Sequence, residues 1–463
     1  MSALAGLLDA AGLGAGLARD AELTGADPVL PSSFRIGEAA QACIAAVGLA
    51  AAAVHRARGG GRQRVAVDAR HAAVEFRSER HLRVEGAAPP DPWDSIAGAY
   101  ACRDGRVVRL HTNFPHHRAG ILRLLGCEGT REAVAAALAR RHAFAFEDEA
   151  TASGMCVAAM RSFAEWDADG PAGRQAAVLR AMPVLEIARI GEAAARPLPA
   201  LAERPLAGLR VLELTRVIAG PVAGRALAAH GAEVLHVGAP HLPAVDTLVK
   251  DTGRGKHCAM LDLREEEGRT ALRGLAAGAD AFVQSYRPGA LAGLGFGAEE
   301  LARLSPGIVV GELCAYGWDG PWAGKRGFDS LVQTASGFNV AETEAAGVAA
   351  PKVLPCQPLD HASGYLLALG VIACWRRRAM EGGSWRVRVS LARTGLWLRS
   401  LGRVEGGFAV GEPSQEDVGD LLSVEHGAWG AVTHVRHAAA MDGTPAFWAL
   451  PAAPLGSHPA AFA

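Results

Sequence analysis

From Gly208 to Leu313 the chain alternates short apolar runs with helix-like stretches, and that alternation leaves few folds open. The spacing predicts strands at 209–214, 233–237, 257–263, 281–285 and 308–313. Helices are expected at 221–230, ended by Gly231, and at 265–277. Strands separated by helices predict an α/β fold with an open, mainly parallel, Rossmann-like sheet. Ligands of such sheets bind beyond the carboxyl ends of the strands. There, Thr215-Arg216-Val217-Ile218-Ala219-Gly220-Pro221 leads into a helix N-terminus, a natural anion site. It is not a G-x-G-x-x-G fingerprint, so no dinucleotide is implied. Gly253-Arg254-Gly255-Lys256 reads as a flexible basic loop, Tyr286-Arg287-Pro288-Gly289 follows a later strand, and Lys325 and Arg326 lie beyond the next. Several basic groups on one rim suggest a polyphosphate ligand.

The rest of the chain bounds the problem. Its 463 residues, half of them hydrophobic, exceed one compact domain. A net charge of −1 supplies no basic excess to meet nucleic-acid phosphates. The eight cysteines are scattered without C-x-x-C spacing and read as reduced, mostly buried thiols. His116-His117 has no third ligand at useful spacing, so a loop surface is expected there and no metal. The apolar runs 42–54 and 366–375 are too short to span a bilayer, and a cytoplasmic protein is expected. The division predicted is a loose lead-in at 1–35, a partial module at 36–90, a small α+β domain with a helical return at 91–200, a catalytic domain at 205–400 and a closing segment at 401–463. Within the small domain, 96–101 and 107–110 read as strands, and 131–141 and 147–168 as helices. Pro197, Pro199 and Pro205 mark a linker.

Asp360 is the first candidate for chemistry. It stands between a loop stiffened by Pro355 and Pro358 and the small residues Ala362-Ser363-Gly364, where a helix is expected to start. Two readings are open: an N-cap that accepts backbone N–H groups, or a nucleophilic carboxylate. The features around it recur at an offset of 322 residues. Gly48 falls on Gly370, Gly60-Gly61 on Gly382-Gly383, Arg64-Val65 on Arg386-Val387, and Glu38 on Asp360. The register predicts that 38–68 and 360–390 are two copies of one helix–turn–strand unit.

Taken in order, the motifs resemble the family III CoA-transferases, which include the α-methylacyl-CoA racemases. The resemblance is carried by the run 205–215 (PLAGLRVLELT), Ala219-Gly220-Pro221, Arg254-Gly255-Lys256, Leu261-Asp262-Leu263, Tyr286-Arg287-Pro288-Gly289, Gly320-Pro321, Gly327-Phe328-Asp329 and Asp360. Residues 36–200 resemble the second half of a family chain placed before a first half. The resemblance implies coenzyme A or acyl-CoA and a carboxylic acid acceptor as substrates, no resident cofactor, and an interlocked homodimer or an intrachain equivalent of one. It implies Asp360 as the nucleophile that carries CoA as an aspartyl thioester. Coenzyme A contacts are implied at Ala219, Arg254, Lys256, Leu261 and Arg264. Further contacts are implied at Ser285, Arg287, Leu294 and Arg326.

Four positions depart from the family pattern. Ile218 replaces a glutamine found in transferases of the formyl-CoA type, and Ala239, Ser285 and Gly293 replace frequent nucleotide contacts. An acyl group other than formate or oxalate is therefore expected, with CoA held differently. Two other readings stay open. A 2-methylacyl-CoA racemase would use His361 as a base, because Phe328 occupies the place of the racemase histidine. A non-catalytic CoA-binding subunit is favoured by Glu38 and the missing contacts.

Overall fold

The computed structural model describes residues 2–168 and 170–463. Its centre is a seven-stranded sheet in the spatial order Lys256–Met260, Glu233–Gly238, Arg210–Leu214, Ala281–Gln284, Val309–Cys314, Ser384–Ser390 and Glu186–Gly191. The first six are parallel and the last is antiparallel. The four central ones are mostly buried because helices cover both faces; Ala281–Gln284 is buried throughout, whereas Ser384–Ser390 alternates and leaves Arg386 and Arg388 only partly buried. Strand order reverses between Arg210–Leu214 and Ala281–Gln284, which opens a crevice at their carboxyl ends.

The helix Pro358–Glu381 is the axis of the molecule. It packs against the helix Ala219–Ala229 and against the helix Ile36–Ala57. Two glycines allow this. A side chain at Gly364 would overlap the carbonyl of Ala219, and one at Gly370 would overlap Val387. Leu366, Leu367, Leu369 and Ile372 are fully buried along it, each contributing about 1.5–3 kcal/mol by leaving water.

Several expectations are corrected. The expected loose lead-in at 1–35 is ordered over its described residues, 2–35: Leu4, Leu7 and Leu8 are buried, and the strand Ala21–Thr24 pairs in parallel with Val65–Asp68. The apolar run at 42–54 lies inside a 22-residue helix that is long and apolar enough to cross a membrane, but it is mostly buried within the protein. Segment 147–168 is not one helix. The helix Ala143–Ala152 stops before Gly154, whose φ of 72° leaves the helical region, and a strand Val157–Ala159 follows. That strand joins Gly98–Ala101 and Val107–Leu110 in a separate antiparallel sheet with its own core around Ile96, Val108 and Phe146. The closing segment returns to the beginning of the chain: Ala439–Met441 pairs with Val65–Asp68, and Gly430–Val435 with Arg83–Val84. All eight cysteines are free and seven are buried.

The segments 38–68 and 360–390 share more than their elements. In one, the helix Ile36–Ala57 precedes the strand Val65–Asp68; in the other, Pro358–Glu381 precedes Ser384–Ser390. A side chain added at Gly48 would reach 2.7 Å from Val65, as one at Gly370 would strike Val387. Ala21 pairs with Val65 as Gly311 pairs with Val387. The carboxylate of Asp27 accepts the N–H groups of Gly37 and Glu38, both at 2.9 Å. The carboxylate of Asp329 accepts that of Asp360 at 2.8 Å.

Candidate active site

Asp360 is the third residue of its helix, not a cap before it; the helix begins at Pro358, with Gln357 at the N-cap position. Proline suits that first turn because its missing N–H would be unpaired there. The N-terminus is held from outside, since the carboxylate of Asp329 takes the Asp360 N–H and the amide of Gln333. Gln333 in turn donates to the Cys356 carbonyl and accepts from Leu354 N–H, which ties down the preceding loop. Among the described residues no donor engages the carboxylate of Asp360 itself. Burial raises its pKa well above the ordinary carboxylate range, and the charges of Asp329 and Glu79 push the same way. Burial also pushes Asp329 up to about 6.

Two cavities meet at this carboxylate. One, of about 520 Å³, lies beyond the carboxyl ends of the central strands and is lined by Leu214, Val237 and Ser285. The other, of about 400 Å³, opens toward the first module and the small domain. Val217, Ile218, Phe328 and Asp360 line both, so Asp360 stands at the partition. Val217 has φ of 74°, a left-handed conformation that costs a β-branched residue about 1–3 kcal/mol. Its loop is braced by Arg216 N–H on Ser285 Oγ at 3.4 Å and by Thr215 on buried Glu213. The strained turn delivers the chain into the helix Ala219–Ala229, whose first N–H groups have no acceptor within the helix.

Seven of the expected CoA-contact residues line the larger cavity: Ala219, Leu261, Arg264, Ser285, Arg287, Leu294 and Arg326. Arg264 is largely exposed and pairs with Asp262 at 2.6 Å. Arg326 approaches His117 Nε2 at 3.5 Å. Arg254 and Lys256 are corrections. Arg254 is fully buried and pairs with Asp251 at 2.9 Å, and Lys256 is buried on Glu213 at 2.8 Å. Their loop is therefore a buried ionic joint rather than a flexible rim, because each cation has a buried carboxylate within reach. Arg225 shares Asp251, also at 2.9 Å, and Ser78 of the first module donates to it at 2.8 Å.

The histidine pair is also corrected: it sits in the first turn of the helix Pro115–Leu125, with His117 buried. Burial pushes His117 down to about 4, so it is neutral beside Arg326. No group of three or more potential metal ligands occurs among the described residues. His361 lines neither cavity; its Nε2 faces Glu79 at 3.3 Å and its ring stacks on Phe76.

The smaller cavity holds residues that motif reading missed. Glu79, Arg80 and Arg83 come from the first module, and Trp93, His111 and Asn113 from the small domain. His111 stacks on Phe328 at 3.7 Å between centroids, and burial pushes it down to about 3. Their only signal was long range: some 280 residues separate Glu79 from Asp360. They meet because Ser78 and Glu79 are fastened to Asp251 and His361.

The arrangement is a buried, unbonded carboxylate between a basic cavity at the end of a parallel sheet and a smaller one of mixed polar and apolar lining. Comparison with known proteins places it in context. Residues 206–416 match the family model described as CoA-transferase family III. An acetyl-coenzyme A transferase of Hypoxylon pulicicidum is 37% identical over 209 residues, covering 44% of this chain and 35% of that protein. A probable fatty acyl-CoA transferase of Mycobacterium tuberculosis is 32% identical over 210 residues, covering 42% of this chain and 53% of that protein. A succinate–glutarate CoA-transferase of Agrobacterium fabrum is 35% identical over 152 residues, covering 29% and 38%. The chain thus spans between about a third and a half of the length of these relatives. The stretch that carries Asp360, residues 206–416, is of the CoA-transferase family III type.

Proposed function

We propose that the protein moves coenzyme A from an acyl-CoA thioester to a carboxylic acid through a covalent intermediate on Asp360. The observation that carries this reading is the position of Asp360 on the wall shared by both cavities. CoA would lie in the larger one, with Arg264, Arg287 and Arg326 toward its phosphates, and the acyl group in the smaller. The Asp360 carboxylate attacks the thioester carbonyl, the C–S bond breaks, and CoA thiolate leaves a mixed anhydride. The thiolate then attacks the Asp360 acyl carbon, releasing the donor carboxylate and leaving aspartyl-CoA. The acceptor carboxylate attacks that thioester, and the expelled thiolate attacks the acceptor's carbonyl carbon, restoring Asp360. The attacking form is the carboxylate, so the proton that burial, Asp329 and Glu79 favour on Asp360 must be lost before attack, and transfer is expected to rise with pH through that raised value. Once ionised, the carboxylate needs no histidine partner. The unpaired N–H groups at the start of the helix Ala219–Ala229 supply donors for the oxyanions.

We read the first module as a second copy of the nucleophile's module, with Glu38 at the place of Asp360. Its role in this reading is to build the acyl cavity through Glu79, Arg80 and Arg83. Racemisation is disfavoured because His361 is turned toward Glu79 and away from both cavities. The test is a panel of acyl-CoA donors with carboxylic acid acceptors in deuterated water, read by mass spectrometry. Transfer predicts a new acyl-CoA without deuterium at its α-carbon. Deuterium uptake without a new thioester would contradict it.

A further inference from the structure

The smaller cavity has an uneven charge layout. Three carboxylates line it, Asp360, Asp329 and Glu79, in addition to Asp91 on the proline-rich loop. His111 is neutral there, held down by burial. The cations are Arg80 and Arg83. Arg80 is already paired, with Glu412 at 3.5 Å and Glu79 at 3.9 Å. Arg83 is half-buried and has no carboxylate within 4 Å among the described residues. Its Nη1 donates to the carbonyls of Arg80 and Leu82, at 3.0 and 2.7 Å, which leaves Nε and Nη2 unused. Between the charged groups the lining mixes the apolar Trp93, Phe114, Ile218, Leu248 and Phe328 with the polar Asn113, Thr247, Ser330 and Gln357.

We infer that this cavity takes an acyl group that carries a second carboxylate, with Arg83 as its receptor. The inference deepens the transferase reading and rests on it for the placing of the acyl carbon beside Asp360. A guanidinium with two free N–H groups matches a carboxylate's two oxygens. A carboxylate elsewhere in the cavity would meet Asp329 or Glu79 and be repelled. The apolar residues of the lining suit methylene groups. At ~30 Å³ per water-sized group, the cavity holds on the order of a dozen non-hydrogen atoms, the size of a short straight-chain dicarboxylic acid.

The test is calorimetric binding of CoA thioethers, which Asp360 cannot cleave, whose S-linked straight chain of about four to eight carbons ends either in a carboxylate or in a methyl group. Wild type is expected to bind the best carboxylate-ended thioether at least about tenfold more tightly than its methyl-ended match. In Arg83→Met the ratio falls to near one, and Arg83→Lys keeps part of it. Circular dichroism on each variant controls for folding. A wild-type ratio near one at every length, or a ratio unchanged in Arg83→Met, overturns the inference. Binding is read without turnover, so it stands apart from the transferase reading. A preference for the carboxylate end lost in Arg83→Met but accompanied by no transfer would keep the cavity assignment and remove only the chemistry.

Discussion

The modules around Glu38 and Asp360 are built on one plan and differ where chemistry would occur. In each, an aspartate some distance upstream receives the N–H of the third residue of a long helix: Asp27 for Glu38, Asp329 for Asp360. In each, a helical glycine lies against the valine of the following strand. Surroundings set them apart. Glu38 is partly exposed and pairs with Arg35 at 3.2 Å. Asp360 is 7% exposed and faces two cavities. A helix start held by a carboxylate is thus a structural device, and at Asp360 it lies beside a strained loop and two cavities. The difference teaches that the plan alone does not make a nucleophile.

Breaking the comparison at its chemical point gives the largest effect. Asp360→Asn removes the attacking charge and should lower CoA transfer by roughly three orders of magnitude or more, whereas Glu38→Gln should leave it within about twofold. Equal losses in a transfer assay would remove the distinction between the modules. The shared plan itself is tested by Gly370→Ala and Gly48→Ala. Each forces a methyl group against a valine and should cost about 1–3 kcal/mol in chemical denaturation, with Gly370→Ala the worse.

Stability against pH sharpens the comparison further. Burial, Asp329 and Glu79 raise the pKa of Asp360 in the folded protein, so the folded state binds a proton that the unfolded chain has lost. Stability supplied by that proton is present below the ordinary carboxylate range and is lost as pH rises through the folded value, by up to about 1.4 kcal/mol per pH unit. Asp360→Asn should flatten that fall, so its advantage over wild type in thermal midpoint grows with pH. A constant difference would show that Asp360 titrates normally. The smallest effect is at the rim. Arg326→Ala should weaken CoA binding by about 1 kcal/mol, and Arg264→Ala by less, because Arg264 is more exposed and already held by Asp262. Unchanged CoA titrations in the double variant would move the nucleotide elsewhere.

Much of the sheet was readable because its strands are short apolar runs bounded by glycines, as at Arg210–Leu214 and Ala281–Gln284. Asp360 was readable from the order of motifs. Arg254 and Lys256 were misread because the partners that bury them differ in visibility: Asp251 lies three residues before Arg254, but Glu213 lies on another strand. The order in residues 2–35 was hidden because it depends on pairing with Val65–Asp68. Val217 gave no sign of its backbone, since valine disfavours that conformation and only the surrounding packing imposes it. The acyl cavity was invisible because residues from the first module, the small domain and the nucleophile helix come together only in the folded chain.

The central claim is that Asp360, and not its counterpart Glu38, becomes acylated. Incubating the protein with an acyl-CoA, quenching with hydroxylamine and sequencing peptides by mass spectrometry tests it directly. The account predicts a hydroxamate on Asp360, in the peptide from Val353 to Arg376, that is absent in Asp360→Asn. A hydroxamate on Glu38 or Asp329 instead, or persistent labelling of the Asp360→Asn protein, would contradict it.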